Sequence, residues 1–227
     1  MHGGPSHGVA LKILYDNDRV DERLFSSHGF AALLRVGETG ILFDTGGNPG
    51  VLLYNMGVLG VSPNSISTVV ISHNHWDHTG GLSALLSINP ALKVVMPGTT
   101  SPNFPPGVRL VGPFEARYKD TLILEQALAV ETGRGVVLLV GCSHPGVDKL
   151  VEAAKNLGEG KVSAVVGGFH LVESRDEEVV ATARRLLELG VEELVPCHCT
   201  GRRATEILRA VHGRIRSCGV GASYTFG

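Results

Sequence analysis

Apolar positions along the chain come in short runs, and these runs alternate with segments of helical spacing. VALKILY (9–15), FAALLRV (30–36) and ILFD (41–44) predict strands, with Gly37 to Gly40 as a hairpin turn between the last two. Asn48 followed by Pro49 predicts a helix start, the Asn as cap and the Pro in the first turn, leading into VLLYNMGVL. TVVIS (68–72) is a continuous apolar run, the pattern of a strand buried on both faces. A helix from Gly80 to Ile88 and a strand KVVM (93–96) follow.

A second series has the same form. VVLLVG (136–141) and SAVVGG (163–168) predict strands, and Glu193 to Pro196 a short one. Between them, Gly146 to Leu157 repeats apolar residues at helical spacing, and Asp176 to Leu189 is amphipathic with acidic residues in its first turn. Gly201 to Val211 predicts the last helix. Strands alternating with helices predict an α/β architecture, and the two series read as two similar halves of one domain. PGTTSPNFPPGVRLVGPFE (97–115) is too long and too rich in Pro and Gly for a routine connection, so a linker, lid or substrate loop is expected there.

Composition narrows the partners. The 227 residues are 43% hydrophobic and 19% charged, as in an ordinary globular chain. One domain over residues 9–227 is expected, behind a flexible tail at 1–8 that carries His2 and His7. A net charge of −2 points to neither nucleic acid nor an anionic membrane. No apolar run approaches the roughly 18 residues of a membrane span, and MHGGPSHG lacks the form of a signal peptide, so a cytoplasmic protein is expected. The four cysteines form no CxxC pair. In a reducing compartment they are expected as free thiols, Cys142 and Cys199 small and buried, Cys218 in the core.

The chemistry collects after the strands. HNHWDH (73–78) places His73, His75, Asp77 and His78 directly behind TVVIS. Asp44 follows ILF, His144 follows VVLLVGCS, His170 follows AVVGGF and His198 follows LVPC. Ligands in α/β sheets gather outside the carboxyl ends of strands, so these groups can meet in one cleft. Neutral imidazole and carboxylate suit zinc, and also iron or manganese. Neither a GxSxG elbow nor a GxxxxGK[ST] phosphate loop is present.

HNHWDH matches the HxHxDH motif of the metallo-β-lactamase superfamily, and FDTGG resembles its first aspartate motif. HGFAALL, ILFDTG, ISHNHWDHTGGL, GCSHPG, GGFHL and HCTG together resemble one branch of it. That branch holds 7,8-dihydropterin-6-methyl-4-(β-D-ribofuranosyl)-aminobenzene-5′-phosphate synthases and proteins named only as metal-dependent hydrolases. The resemblance implies a four-layer αβ/βα sandwich with one to two divalent metal ions at an edge between two sheets, zinc by default. It implies that His73, His75 and His144 hold one metal, and Asp77, His78 and His198 the second. Asp44 would orient a ligand histidine or the metal-loop backbone.

One position departs from the pattern. Two-metal members carry a bridging aspartate between the last two histidine motifs, where this chain has His170. A neutral imidazole has one available lone pair and cannot bridge, so His170 would ligate one metal or hold a metal-bound water. With Asp77 as sole anionic ligand, two divalent cations leave a site of about +3, which favours a small anionic substrate. His28, Arg202 and Arg203 are further candidates for substrate contact. The resemblance thus implies a hydrolase using a metal-activated water, on a phosphate-containing substrate, with Asp77 or His170 steering the proton. A synthase releasing diphosphate and a non-catalytic metal- or ligand-binding protein are the alternatives.

Overall fold

The computed structural model describes residues 8–100, 102–156 and 160–227. His2 and His7 of the expected tail, and the predicted helix end at Leu157, lie outside the described residues. The first series is β1 (Val9–Tyr15), β2 (Ala31–Val36), β3 (Thr39–Phe43), α1 (Pro49–Val58), β4 (Thr68–Val70), α2 (Trp76–Thr79), α3 (Leu82–Ile88) and β5 (Lys93–Val95). The second is β6 (Val108–Tyr118), β7 (Thr121–Thr132), β8 (Gly135–Val140), α4 (Val147–Lys155), β9 (Val162–Gly168), α5 (Asp176–Glu188), β10 (Glu193–Cys197), α6 (Arg202–His212) and β11 (Ser223–Phe226).

The strands form a six-stranded sheet, β11-β1-β2-β3-β4-β5, and a five-stranded sheet, β10-β9-β8-β7-β6. Side chains alternate along each strand, and both faces of each sheet are covered. Ile41, Phe43 and Val70 of the first sheet meet Val137, Leu139, Ala164 and Val166 of the second. Behind the first sheet, Leu42, Val69 and Ile71 pack on Leu52 and Met56 of α1 and Leu85 of α3. Behind the second, Leu138, Val140 and Val165 pack on Leu150 of α4, Leu186 of α5 and Leu208 of α6. The order is helix, sheet, sheet, helix, the expected four layers. Burial on both faces is why these strands read as near-continuous apolar runs. The start of α1 is also as predicted: Asn48 Oδ1 accepts from the backbone N–H of Gly50 and Val51.

Two expectations are corrected. The stretch 97–115 is not one long loop, because from Val108 it is strand β6, paired antiparallel with β7 from Val108↔Val130 to Tyr118↔Thr121. The ladder slips between Val111 and Phe114, where Pro113 has no N–H to offer, and that interruption hid the strand. Nor are all four cysteines thiols: Cys197 and Cys218 form a disulfide, with Cα atoms 5.4 Å apart. The chain after α6 returns alongside β10, Leu194 N–H donating to Arg214 O and Arg216 N–H to Leu194 O, which carries Cys218 back to the strand end. Cys142 and Cys199 remain free and buried. Thiol titration of the unfolded, unreduced protein is therefore expected to find two thiols per chain; four would remove the bridge from this account. No helix among the described residues is long and apolar enough to cross a membrane.

Candidate metal centre

The ends of β3, β4, β8, β9 and β10 deliver Asp44, His73, Cys142, His170 and His198 to one edge of the sandwich. The backbone turns sharply there. Asp44 (φ 60°), Ser143 (62°), His170 (54°) and His198 (48°) all adopt left-handed conformations that side chains other than glycine normally avoid. Each costs of order 1–3 kcal/mol, and such outliers cluster where geometry serves function.

Asp44 aims two histidines. Its carboxylate is fully buried and accepts from Ser72 N–H (2.7 Å), Ser72 Oγ (2.7 Å) and His78 Nδ1 (2.7 Å). Because Ser72 spends its hydroxyl proton on Asp44, it accepts from His73 Nδ1 at 2.9 Å. This network fixes a proton on Nδ1 of both rings and turns both Nε2 atoms inward. His73 Nε2 faces His75 Nδ1 at 3.0 Å. The His144 ring lies 4.7 Å from that of His73 and 5.1 Å from that of His75. Its Nδ1 bonds Glu125 Oε2 at 2.8 Å, again turning Nε2 inward.

Asp77 anchors the second set. Its Oδ2 lies 3.1 Å from His198 Nε2, 3.3 Å from His28 Nε2 and 3.6 Å from His78 Nε2. His198 is held from behind, Nδ1 on Asn17 Oδ1 at 2.9 Å and backbone N–H on Asp16 Oδ1 at 2.7 Å. Close as it is to Asp77, His198 Nε2 is buried without an aligned hydrogen bond. Two Lewis bases turned on one point with no proton between them are what a cation's ligands look like, so these residues fit a metal.

The electrostatics differ from ring to ring. Burial, and after it the neighbouring histidines, holds His73 well below the usual histidine value, and burial lowers His75, so both rings are neutral at pH 7. Burial works against a charge on His78, but the Asp44 carboxylate overcomes it and lifts this group to about 9, so the metal-free ring is protonated at pH 7 and a cation there would take the place of its Nε2 proton. Burial would raise Asp77, yet the close approach of His198 and His78 holds it below the ordinary carboxylate range.

Some predicted residues stand apart from the two sets. The His170 ring lies 4.5 Å from that of His144, and its ring nitrogen groups with the sulfurs of Cys142 and Cys199, not with Asp77. His28 sits at the rim with its side chain 56% exposed. Arg202 pairs with Asp18 at 2.9 Å and Arg203 with Asp176 at 2.6 Å, both on the surface. Four residues were missed. Glu125 is buried and accepts from Cys142, Ser143 and His144 N–H as well as the His144 ring. Asp16 and Asn17 follow strand β1, the same strand-end signal that exposed Asp44, and went unused. Tyr118, at the tip of β6, packs its ring against those of His75, His144 and His170.

Known proteins share this arrangement's sequence and fold. The model of the metallo-beta-lactamase superfamily matches residues 27–156. A 7,8-dihydropterin-6-methyl-4-(beta-D-ribofuranosyl)-aminobenzene-5′-phosphate synthase of Methanocaldococcus jannaschii is 30% identical over 244 residues, covering 79% of this chain and 83% of its own. An uncharacterized protein of the same organism is 28% identical, over 86% of this chain and 91% of its own. A solved metal-dependent hydrolase of the beta-lactamase superfamily superposes with a TM-score of 0.79 at 28% identity, over 95% of this chain and 98% of its own. With the HxHxDH loop inside the matched segment and the four layers around it, the chain belongs to the metallo-β-lactamase superfamily.

Proposed function

We propose that this chain is a metal-dependent hydrolase acting on a small, phosphate-containing anion. The observation that carries the reading is the pair of ligand sets whose free nitrogens face inward beside Asp77, at a rim lined by exposed His28 and Trp76. His73, His75 and His144 would hold one cation, and Asp77, His78 and His198 the other, with zinc the first candidate and iron or manganese the alternatives. Bound there, the cations would supply water activation near neutral pH and stabilisation of negative charge in the transition state.

The chain's own groups take the remaining tasks. Asp77, held below the ordinary carboxylate range, is a poor proton carrier at neutral pH and serves as an anionic ligand. Proton handling falls to His170, whose Nδ1 is buried without a partner next to His144. His28 Nε2 borders Asp77 from the solvent side, where it can donate to a substrate oxygen. Tyr118 walls the rim over three histidines and limits water there. Arg202 and Arg203 would contact substrate only by leaving Asp18 and Asp176.

The named synthase among the relatives favours a second reading, in which the same cations stabilise a departing diphosphate. A panel of phosphomonoesters, phosphodiesters, thioesters and lactones, with an assay for diphosphate release from a pterin-type pair, separates the two. Phosphoester turnover that stops on chelation and returns with metal is expected. Turnover confined to the diphosphate-releasing pair would select the synthase, and none on any arm would leave a non-catalytic metal- or ligand-binding protein.

A further inference from the structure

Cys142 is the one side chain, among the described residues, whose ligand atom belongs to both metal sets. Its sulfur lies within 4.8 Å of the ligand atoms of Asp77, His78 and His198, and equally within that range of those of His73 and His144. His78 Nε2 is in hydrogen-bond contact with the sulfur at 3.2 Å. A thiolate at about 2.3 Å and an imidazole at about 2.0–2.1 Å on one tetrahedral cation stand roughly 3.5 Å apart, so the spacing suits shared coordination.

The backbone is shaped to bring the sulfur there. A Cβ on Gly141 would lie 2.1 Å from Ser72 Oγ and 3.3 Å from Glu125 Oε1, so only glycine lets the end of β8 pass this close to the histidine loop. Glu125 Oε1 then accepts from Cys142 N–H at 3.0 Å and Ser143 N–H at 2.7 Å, fixing the turn. Cys142 is 4% exposed and so faces the ligands rather than solvent.

We propose that Cys142 is a bridging thiolate ligand, supplying between the two cations the anion that the chain lacks at His170. The inference rests on the metal-centre reading above. A thiolate has several lone pairs and can bridge, as a neutral imidazole cannot. The thiol proton leaves to solvent as the cations bind, so metal uptake releases one proton more per chain than the histidine and aspartate ligands alone account for. Two divalent cations against Asp77 and this thiolate leave a site of about +2, less positive than the +3 expected with no bridging anion. Sulfur at the bridge also tilts selection toward thiophilic ions such as zinc and away from manganese.

Cobalt(II) is the probe, because a sulfur ligand gives it a charge-transfer band in the near ultraviolet that nitrogen and oxygen ligands do not. Cobalt-loaded wild type is expected to show that band, Cys142→Ser to lose it and Cys199→Ser to keep it. X-ray absorption of the wild type alone, which needs no variant to fold, should find sulfur at about 2.3 Å from cobalt. In Cys142→Ser the second cobalt equivalent should weaken by more than the tenfold that even an outer partner of a ligand typically costs. Cys142→Asp should recover that equivalent without the band. Cobalt bound with no sulfur neighbour in the wild type, or a band that survives in Cys142→Ser, overturns the bridge and leaves the histidine sites standing. Failure of the wild type to take up cobalt at all overturns both.

Discussion

Glu125→Ala is expected to destabilise the metal-free protein by about 3–5 kcal/mol, the usual cost of removing one partner from a buried charged network. The carboxylate is fully buried and takes three backbone donors, from Cys142, Ser143 and His144, besides the His144 ring. Alanine would strand all of them away from water, where each unmade bond costs about 1–3 kcal/mol. It would also free the His144 imidazole to rotate, and loss of such an outer partner costs about 10–100-fold in metal affinity. Urea denaturation of the metal-free chain and chelator-competition titration of the loaded one read the two effects separately. A midpoint and an affinity both like those of the wild type would show that Glu125 does not build the site.

A comparable loss is expected at Asp44, and two substitutions there separate its backbone role from its charge. The residue sits at φ 60°, a conformation asparagine tolerates and alanine does not. Asp44→Asn keeps the turn but puts an amide where Ser72 N–H, Ser72 Oγ and His78 Nδ1 all need an acceptor. It should weaken metal binding by about 10–100-fold, because His73 and His78 are both aimed through this carboxylate. Asp44→Ala should bind metal no better and lose about 1–2 kcal/mol more in stability from the strained turn. If Asp44→Asn bound metal as tightly as the wild type, the orienting role assigned to Asp44 would be wrong.

Much of this was legible along the chain, for identifiable reasons. Strands such as β4, β8 and β9 are buried on both faces, and so their apolar runs are unbroken. HNHWDH stood out because four ligand-type side chains in six residues have no role in a core. The β6–β7 hairpin did not stand out. Its apolar positions are diluted by Gly112-Pro113 and by exposed residues at the tip, and Leu122 and Leu124 point to solvent.

Glu125 was hidden by the same strand, although Glu125-Gln126 inside LILEQALAV is a polar pair in an apolar run, which signals a buried polar task. The structure gives both residues one: Gln126 N–H donates to Ser72 O and its side chain to Ile71 O, tying β7 to the histidine loop. Cys142 was visible at a strand end but was read as a small buried thiol, since only the fold shows its sulfur between the two ligand sets. The Cys197–Cys218 bond was illegible for a related reason. It depends on the pairing of Leu194 with the segment at Ile215, which no local pattern announces.

The central claim is that the two sets of residues gathered at the sheet edge hold metal. Elemental analysis of the purified chain, reconstituted and freed of loosely bound ions, tests it most directly, with His75→Ala alongside. His75 is half-buried at the mouth of its set and touches the Asp44 network only through His73 Nε2, so its loss should leave the fold intact while opening the site. The account predicts one to two transition metal ions per wild-type chain and a marked drop in the variant, with activity falling in step. A wild-type chain that holds no metal after reconstitution, or a variant that holds as much as the wild type, would contradict it.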